Sequence, residues 1–110
     1  MEENQEMAAN INQDIANVED LLIALGDKKR LELLTHLINA YQHKPLCVKD
    51  LAELTNLSRP AVSHHLKILK EAGIINFKKN GTQSYYYLDN VQDNVARMKI
   101  LTDDLVRITC

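Results

Sequence analysis

The chain has 110 residues, of which 45% are hydrophobic and 25% are charged, and its formal net charge is −2. This length predicts one domain with a modest core, and the composition argues against a disordered chain. The negative net charge argues against a protein that coats nucleic acid without selectivity. No apolar run approaches the ~20 residues that a membrane span requires, so we expect no membrane partner.

The cysteines and the N-terminus together predict a cytoplasmic location. Cys47 and Cys110 lie far apart in the sequence and form no disulfide framework, which is typical of a reducing compartment. The first residues are acidic and polar, and they lack the apolar stretch of a signal peptide.

Charge is distributed unevenly along the chain. Residues 1–20 contain six acidic residues and neither Lys nor Arg. Residues 57–86 contain five cations against Glu71 alone, a local balance of +4. This distribution predicts a basic face on an acidic body, although chance clustering of solvated lysines would give the same pattern.

The N-terminal part of the chain predicts a flexible segment followed by two helices. Residues 1–9 show no apolar periodicity and should be flexible, whereas 10–110 should form one folded domain. Gly26 should end the first helix and Asp27 should cap the second, at about 28–41. The first helix carries an apolar seam of Ile11, Ile15, Val18, Leu22 and Leu25, and the second should bury Leu31, Leu34, Leu37, Ile38 and Tyr41.

Residues 51–72 have the pattern of a helix-turn-helix. Leu51, Ala52 and Leu54 mark a first short helix, and Val62, Leu66 and Leu69 mark one stripe of a second. Ser58 can cap the second helix, Pro60 fits its first turn, and Gly73 can terminate it. A second helix of this kind is shaped to enter the major groove of DNA.

The rest of the chain predicts a β-hairpin and a last helix. Asn80-Gly81, between β-prone runs at 74–79 and 82–88, is a strong type I′ turn signal. The last helix, at about 91–109, has an apolar stripe. The predicted fold is mostly α with a small β-hairpin, a winged helix-turn-helix with the order α-α-α-α-β-β-α.

The first and last helices each carry more apolar surface than so small a body can cover. We therefore expect a homodimer with two-fold symmetry through these helices, unless both stripes pack on their own domain. The predicted interface residues are Ile11, Ile15, Val18, Leu22, Val95, Met98, Leu101, Leu105 and Ile108.

Residues 18–108 resemble the ArsR/SmtB family of bacterial transcriptional repressors. The matching features are Leu25-Gly26-Asp27 with Arg30, the string Val62-Ser63-His64-His65-Leu66 with Leu69, Gly73-Ile74-Ile75, and Gly81 followed by tyrosines. The resemblance implies a homodimer that binds double-stranded operator DNA and releases it when an inducer arrives. Many members of the family sense metal ions, and others respond to reactive sulfur or oxidation.

The predicted DNA-binding residues lie on the second helix of the helix-turn-helix and on the hairpin. Arg59 can read guanine bidentately or hold a phosphate. His65 lies beside the apolar stripe and is expected to be structural, so His64 is the histidine assigned to DNA. The full set is Ser58, Arg59, Ala61, Ser63, His64, Lys67, Lys78, Lys79, Asn80 and Thr82.

The chain departs from the metal-site patterns of the family it resembles. The family's Cys-Val-Cys is Cys47-Val48-Lys49 here, and the last-helix ligand positions are Asn90, Gln92, Asp103 and Val106. We therefore expect no metal cofactor. Cys47 and Cys110 are candidates for a thiol switch. The alternative is that neither has a function, with Cys47 a small half-buried side chain and Cys110 incidental.

The sequence lacks the motifs of common enzyme classes, including a phosphate-cradling glycine loop, H-E-x-x-H and a nucleophile elbow. We expect a DNA-binding transcriptional regulator, a repressor whose inducer the residues do not identify. The alternative is a winged helix that serves as a protein-interaction module with little affinity for DNA.

Overall fold

The computed structural model describes residues 2–41 and 43–110, and within these ranges it contains five helices and three short strands. In chain order they are α1 (Glu2–Leu25), α2 (Lys28–Asn39), β1 (Leu46–Cys47), α3 (Val48–Thr55), α4 (Arg59–Glu71), β2 (Ile75–Asn80), β3 (Gln83–Leu88) and α5 (Val91–Thr109). The predicted winged helix-turn-helix is confirmed. No helix in these ranges is both long and apolar enough to cross a bilayer.

Helix α1 begins at Glu2, well before its apolar periodicity starts. The described part of the predicted flexible segment 1–9 is therefore helical, although its side chains are mostly exposed and Met1 lies outside the described residues. Its flexibility stays a prediction. Only Ile11 and Val18 of the predicted seam are buried, and Leu21 and Ala24 are buried beyond it.

Helix α2 buries Leu37 as predicted, together with Leu33, but leaves part of the predicted set exposed. Leu33 and Leu37 are fully buried, whereas the predicted core residues Leu31, Ile38 and Tyr41 are exposed. Leu33 and Leu37 lie one turn apart on one side of the helix, and Leu31 and Ile38 fall on the far side. Gln42, the residue after the predicted end of this helix, lies outside the described residues.

The main core lies where α2, α3 and α4 meet the end of α1 and the base of the hairpin. Leu33, Leu51 and Leu66 are completely buried at its centre. Leu54 lies in α3, as predicted for the first helix of the helix-turn-helix, and its side chain is 50% exposed. The turn between α3 and α4 depends on Asn56, whose φ of 58° is left-handed, a conformation that asparagine tolerates well.

The end of α4 is closed by a Schellman motif, as the predicted role of Gly73 requires. Gly73 has a φ of 84°, and its N–H donates to the Lys70 carbonyl over 2.9 Å. The next residue, Ile74, donates to the Leu69 carbonyl over 3.4 Å and is buried in the core. This arrangement fixes the direction in which the chain enters the hairpin.

The sheet contains one strand more than the hairpin. Strand β1 pairs with β3 antiparallel, with Leu46 opposite Tyr86 and Cys47 opposite Tyr85. The strand order is β1-β3-β2. A strand of two residues is too short to show an alternation pattern, so this strand could not be predicted from the sequence.

The hairpin turn lies one residue later than predicted. Asn80 pairs with Gln83, so the two loop residues are Gly81 and Thr82 rather than Asn80 and Gly81. Gly81 has a φ of 67°, whereas Asn80 has no positive φ. A positive φ at the first loop position alone is typical of a type II′ turn, not of the predicted type I′ turn.

Helix α5 has the predicted bounds and packs along α1 within the same chain. Ile11, Val18 and Leu101 form a second apolar cluster, separate from the main core, and Met98 packs against both. These four predicted interface residues therefore already have contacts inside one chain. The other five, Ile15, Leu22, Val95, Leu105 and Ile108, are exposed.

Candidate nucleic-acid interface

Helix α4 presents a buried face and an exposed face, as its sequence predicts. The Ser58 hydroxyl accepts a hydrogen bond from the Ala61 N–H over 3.2 Å and caps the helix, while Pro60 occupies the first turn. Val62, Leu66 and Leu69 are buried. The side chains on the exposed face are those of Arg59, Ser63, His64 and Lys67, with Ala61 partly buried.

A polar groove separates α4 from the hairpin. Arg59 and Ser63 line it from the helix side, and Thr82 and Ser84 line it from the hairpin side. The structure therefore brings together predicted residues that are about 20 positions apart in the chain. The groove is a concave surface that offers a guanidinium and several hydroxyl groups to a ligand.

The pairing of β1 with β3 adds the start of α3 to this groove. Cys47, Val48 and Lys49 line it, and Gln83 completes its hairpin side. Lys49 and Gln83 are not among the predicted DNA-binding residues. The two-residue strand that brings Lys49 beside the hairpin has no sequence signal of its own, so the position of this cation could not be predicted.

The four predicted hairpin residues do not share one face. Strand alternation places Lys79 on the face of Phe77, whose ring lies 5.4 Å from the Lys70 ammonium of α4. Lys78 and Asn80 lie on the opposite face, where the Lys78 ammonium is 5.7 Å from the centre of the Tyr87 ring. Only Lys79 and the loop residue Thr82 therefore lie on the α4 side of the hairpin.

The cations around the groove differ in how they are engaged. Lys67 lies 4.0 Å from Glu71, and both side chains are exposed, so this ion pair is weak. Within residues 2–41 and 43–110, no carboxylate lies within 4.0 Å of Arg59, Lys49 or Lys79. These three cations are available to an anionic ligand such as a phosphate backbone.

The two adjacent histidines have different surroundings. His64 is exposed beside Ser63, on the predicted DNA face. His65 is partly buried, and its Nδ1 lies 3.3 Å from a terminal nitrogen of the Arg30 guanidinium. This placement agrees with the structural role expected of His65.

Cys47 is the N-cap of α3 and is buried. Its thiol donates to Oδ2 of Asp50 over 3.2 Å, and its backbone N–H donates to the same oxygen. These two hydrogen bonds, the backbone one first, hold the pKa of Asp50 below its usual value. A thiolate at Cys47 would face this carboxylate, and the repulsion between the two charges opposes the thiol switch considered for this cysteine.

The last helix does not assemble the metal-ligand sets considered from the sequence. Asp103 is engaged by the Lys99 ammonium over 2.6 Å, and Cys110 is an exposed free thiol at the end of the chain. No group of three His, Cys, Asp or Glu side chains suited to a metal ion occurs in the described part of the chain.

Comparison with known proteins identifies relatives of the whole domain. Residues 27–76 match the family model described as bacterial regulatory protein, arsR family. An uncharacterised HTH-type transcriptional regulator of Methanocaldococcus jannaschii is 36% identical over 86 residues, which are 78% of this chain and 91% of that protein. The arsenical resistance operon repressor of Bacillus subtilis is 41% identical over 71 residues, 64% of this chain and 65% of the repressor.

A third relative and a solved structure agree with these matches. The arsenical resistance operon repressor of Staphylococcus aureus is 30% identical over 92 residues, 82% of this chain and 85% of that protein. The crystal structure of a possible transcriptional regulator for arsenical resistance superposes with a TM-score of 0.63 at 31% identity, covering 78% of this chain and 83% of the other.

Proposed function

The chain belongs to the ArsR family of DNA-binding transcriptional regulators, and on this basis we propose that it is a homodimeric repressor that releases its operator when an inducer arrives. The observation that carries the proposal is the polar groove between α4 and the hairpin, with Arg59 and Lys49 in its lining. Lys79 adds a third cation on the α4 side of the hairpin. The protein is a regulator and not an enzyme. It acts in the cytoplasm, where the operator DNA of a bacterial regulator lies.

The proposed DNA contacts divide by chemistry. Arg59, at the start of α4, contacts a base edge or a phosphate, and Ser63 and His64 follow it into the major groove. Lys49, Lys79 and Thr82 contact the backbone beside the groove, and Lys78 and Asn80 contact it from the outer face of the hairpin. Ser58, Ala61 and Lys67 complete the surface of α4 that faces the DNA.

The proposed dimer uses the exposed apolar residues of α1 and α5. The radius of gyration is 17.0 Å and the longest dimension is 58 Å, whereas a compact chain of this length has a radius of gyration of about 13 Å. The α1–α5 pair has its own apolar cluster, separate from the main core. A second copy would cover the apolar side chains that one chain leaves exposed.

Arg59→Ala tests the assignment of α4. Loss of a bidentate base contact should weaken binding to the operator about 5- to 150-fold and reduce discrimination between operator and unrelated DNA. Fluorescence anisotropy with DNA from upstream of the gene, over a series of salt concentrations, measures both effects. Unchanged operator affinity would show that Arg59 does not read DNA.

Two lysine variants distinguish the contribution of the hairpin cation to DNA binding from that of a cation elsewhere on the surface. Lys79→Ala should weaken all DNA sequences alike and lower the salt slope by about one. Lys99→Ala is the matched control, because Lys99 lies on α5 and already pairs with Asp103. If wild-type protein shows no specific binding even at low salt, the protein-interaction module replaces the repressor as the preferred function.

The same assay identifies the class of inducer. The proposal assigns no cofactor to the DNA-bound protein, and it leaves metal ions and thiol oxidants as the two inducer classes to compare. If a thiol oxidant releases the DNA from wild type but not from Cys47→Ser, the signal is assigned to that cysteine. If only a metal ion releases the DNA, the expectation that α5 carries no metal site is contradicted.

A further inference from the structure

The Arg30 side chain connects the end of α1 to the middle of α4. Its Nε donates to the Ala24 carbonyl over 2.8 Å, and one terminal nitrogen donates to the Ile23 carbonyl over 3.1 Å. These carbonyls belong to the last turn of α1, where the helix supplies no further N–H donors. The Ile23 carbonyl also accepts a hydrogen bond from the Gly26 N–H over 3.2 Å. The other terminal nitrogen reaches Nδ1 of His65 in α4. One guanidinium therefore contacts two helices besides its own.

The backbone of Arg30 is fixed as firmly as its side chain. The Asp27 carboxylate caps α2 by accepting the N–H groups of Lys29 and Arg30 over 2.9 Å and 3.0 Å. These contacts lower the pKa of Asp27, the Arg30 N–H contributing most. Because the guanidinium is planar and its donors have fixed directions, the three helices are held at one mutual orientation.

The contact also defines the state of the His65 imidazole. A guanidinium only donates hydrogen bonds, so Nδ1 of His65 must be the acceptor and carry no proton. The imidazole is then neutral, with its proton on Nε2. The charged and titratable groups around it are Arg30, Asp27 and His64, whose ring centre is 5.8 Å away.

The contacts of Arg30 with His65 and with the α1 carbonyls join the two helices on which the proposed dimer and DNA surfaces lie. Helix α1 carries part of the proposed dimer face, and α4 carries the proposed DNA-reading face, with His64 next to His65 in the chain. In a two-fold dimer, the angle between α1 and α4 sets the distance between the two recognition helices. A change of that angle would misalign both helices with their half-sites.

We propose that Arg30 is a positioning residue for operator binding, which holds α4 at a fixed angle to α1 through His65 and the Ile23 and Ala24 carbonyls. This role rests on the proposed function and does not require Arg30 to touch DNA. It makes His65 the acceptor through which the dimer helices and the reading helix are coupled.

Four variants test the role. Arg30→Lys keeps the charge but loses the fork of donors, and His65→Leu removes the acceptor. Each should lower specific operator affinity about tenfold, the effect of one lost charge-assisted hydrogen bond, with little change in binding to unrelated DNA. His65→Asn keeps an acceptor near the position of Nδ1 and should bind as wild type does. The double variant should be no weaker than either single one.

Rescue by His65→Asn is the readout that a merely structural role would not change, because this variant restores an acceptor without restoring the imidazole. If His65→Asn binds the operator no better than His65→Leu does, the proposal is overturned.

The outcomes separate this proposal from the proposed function. If wild type binds no operator specifically, the repressor function fails, and the positioning role fails with it. If wild type binds and Arg30→Lys binds equally well, or loses thermal stability without losing affinity, only the positioning role is overturned. Nitrogen-15 NMR gives a readout without DNA: His65 should be the Nε2–H tautomer at pH 8 in wild type, and a protonated Nδ1 there would contradict the assignment.

Discussion

At the scale of single residues, a carboxylate pair between α1 and α5 shows that this helix pair is not optimised for stability. Oδ2 of Asp14 is buried, and it has no hydrogen-bond donor among the described residues. The pKa of Asp14 is raised by interaction with the neighbouring Asp104 carboxyl, by burial and by the charge of Asp104. Arg107 is 3.8 Å from Asp104 and offsets only part of this repulsion. Neighbouring like charges disfavour the ionised form of Asp14.

The sign of this shift gives a stability prediction. A raised pKa in the folded state means that Asp14 contributes stability below its ordinary pKa, and that this contribution is lost as the pH rises through the raised value. In the Asp14→Asn variant the side chain cannot ionise, and its amide N–H can donate a hydrogen bond to the Asp104 carboxylate. The substitution should therefore raise the Tm at pH 7.5, and the gain should vanish as the pH approaches ~4.

Thermal unfolding monitored by circular dichroism at both pH values measures this effect. Glu19→Gln is the matched control, because Glu19 is an exposed acidic residue of the same helix. If both variants gain Tm equally, the gain comes only from removing one negative charge from an acidic helix. That result would contradict the role of the Asp14–Asp104 pair.

At the scale of elements, the sequence predicted well wherever a local pattern and burial agree. The Ser58 cap, the Val62-Leu66-Leu69 stripe and the bounds of α5 follow from periodicity and capping, which act within a few residues. The prediction of which α2 side chains are buried was partly wrong, for a physical reason. The leucines and isoleucine of α2 surround the helix, so composition alone could not say which side the core would cover, and Leu33 was missed.

The hairpin turn shows how pairing can override a local signal. The register that aligns Phe77 with Tyr86, whose rings are 5.5 Å apart, also pairs Asn80 with Gln83 and leaves Gly81-Thr82 as the loop. Packing of aromatic side chains on the core side sets this register, and the Asn-Gly preference yields to it. The same register decides which wing residues face α4, which the sequence could not show.

Gly81 should accordingly be the residue on which the turn depends. A Cβ added there would meet no atom within 4 Å, so the only penalty of substitution is the φ of 67°. Gly81→Asn tolerates this φ and should retain the stability of the hairpin, whereas Gly81→Val should destabilise it by about 1–2 kcal/mol. Urea unfolding compares the two, and equal losses would contradict the observed turn.

At the scale of the whole molecule, the groove and the dimer surface were predictable only in part. The sequence identified the apolar residues of α1 and α5, but it could not separate those that pack within one chain from those left exposed. Ile11, Val18 and Leu101 close the contact between the two helices, and Ile15 and Leu105 lie outside it. That division depends on how two helices cross, which is a property of the folded chain.

The exposed apolar residues of α1 and α5 predict that the molecule forms a dimer through these helices. A substitution of Leu105 tests this prediction. Leu105 is 41% exposed in a single chain, so Leu105→Glu should leave the fold intact while placing a charge in the apolar face of the proposed dimer. Sedimentation equilibrium should show a dimer for wild type and a monomer for the variant. Because a monomer holds only one half-site, operator affinity should fall far more than binding to unrelated DNA.

Leu54→Glu is the matched control, since Leu54 is 50% exposed on α3, outside the α1–α5 pair. This variant should remain dimeric and should show that a new surface carboxylate does not by itself dissociate the protein. A dimeric Leu105→Glu with wild-type operator affinity would place the subunit contact elsewhere. The angle between the recognition helices would then no longer depend on α1, and the coupling through Arg30 would lose its physical basis.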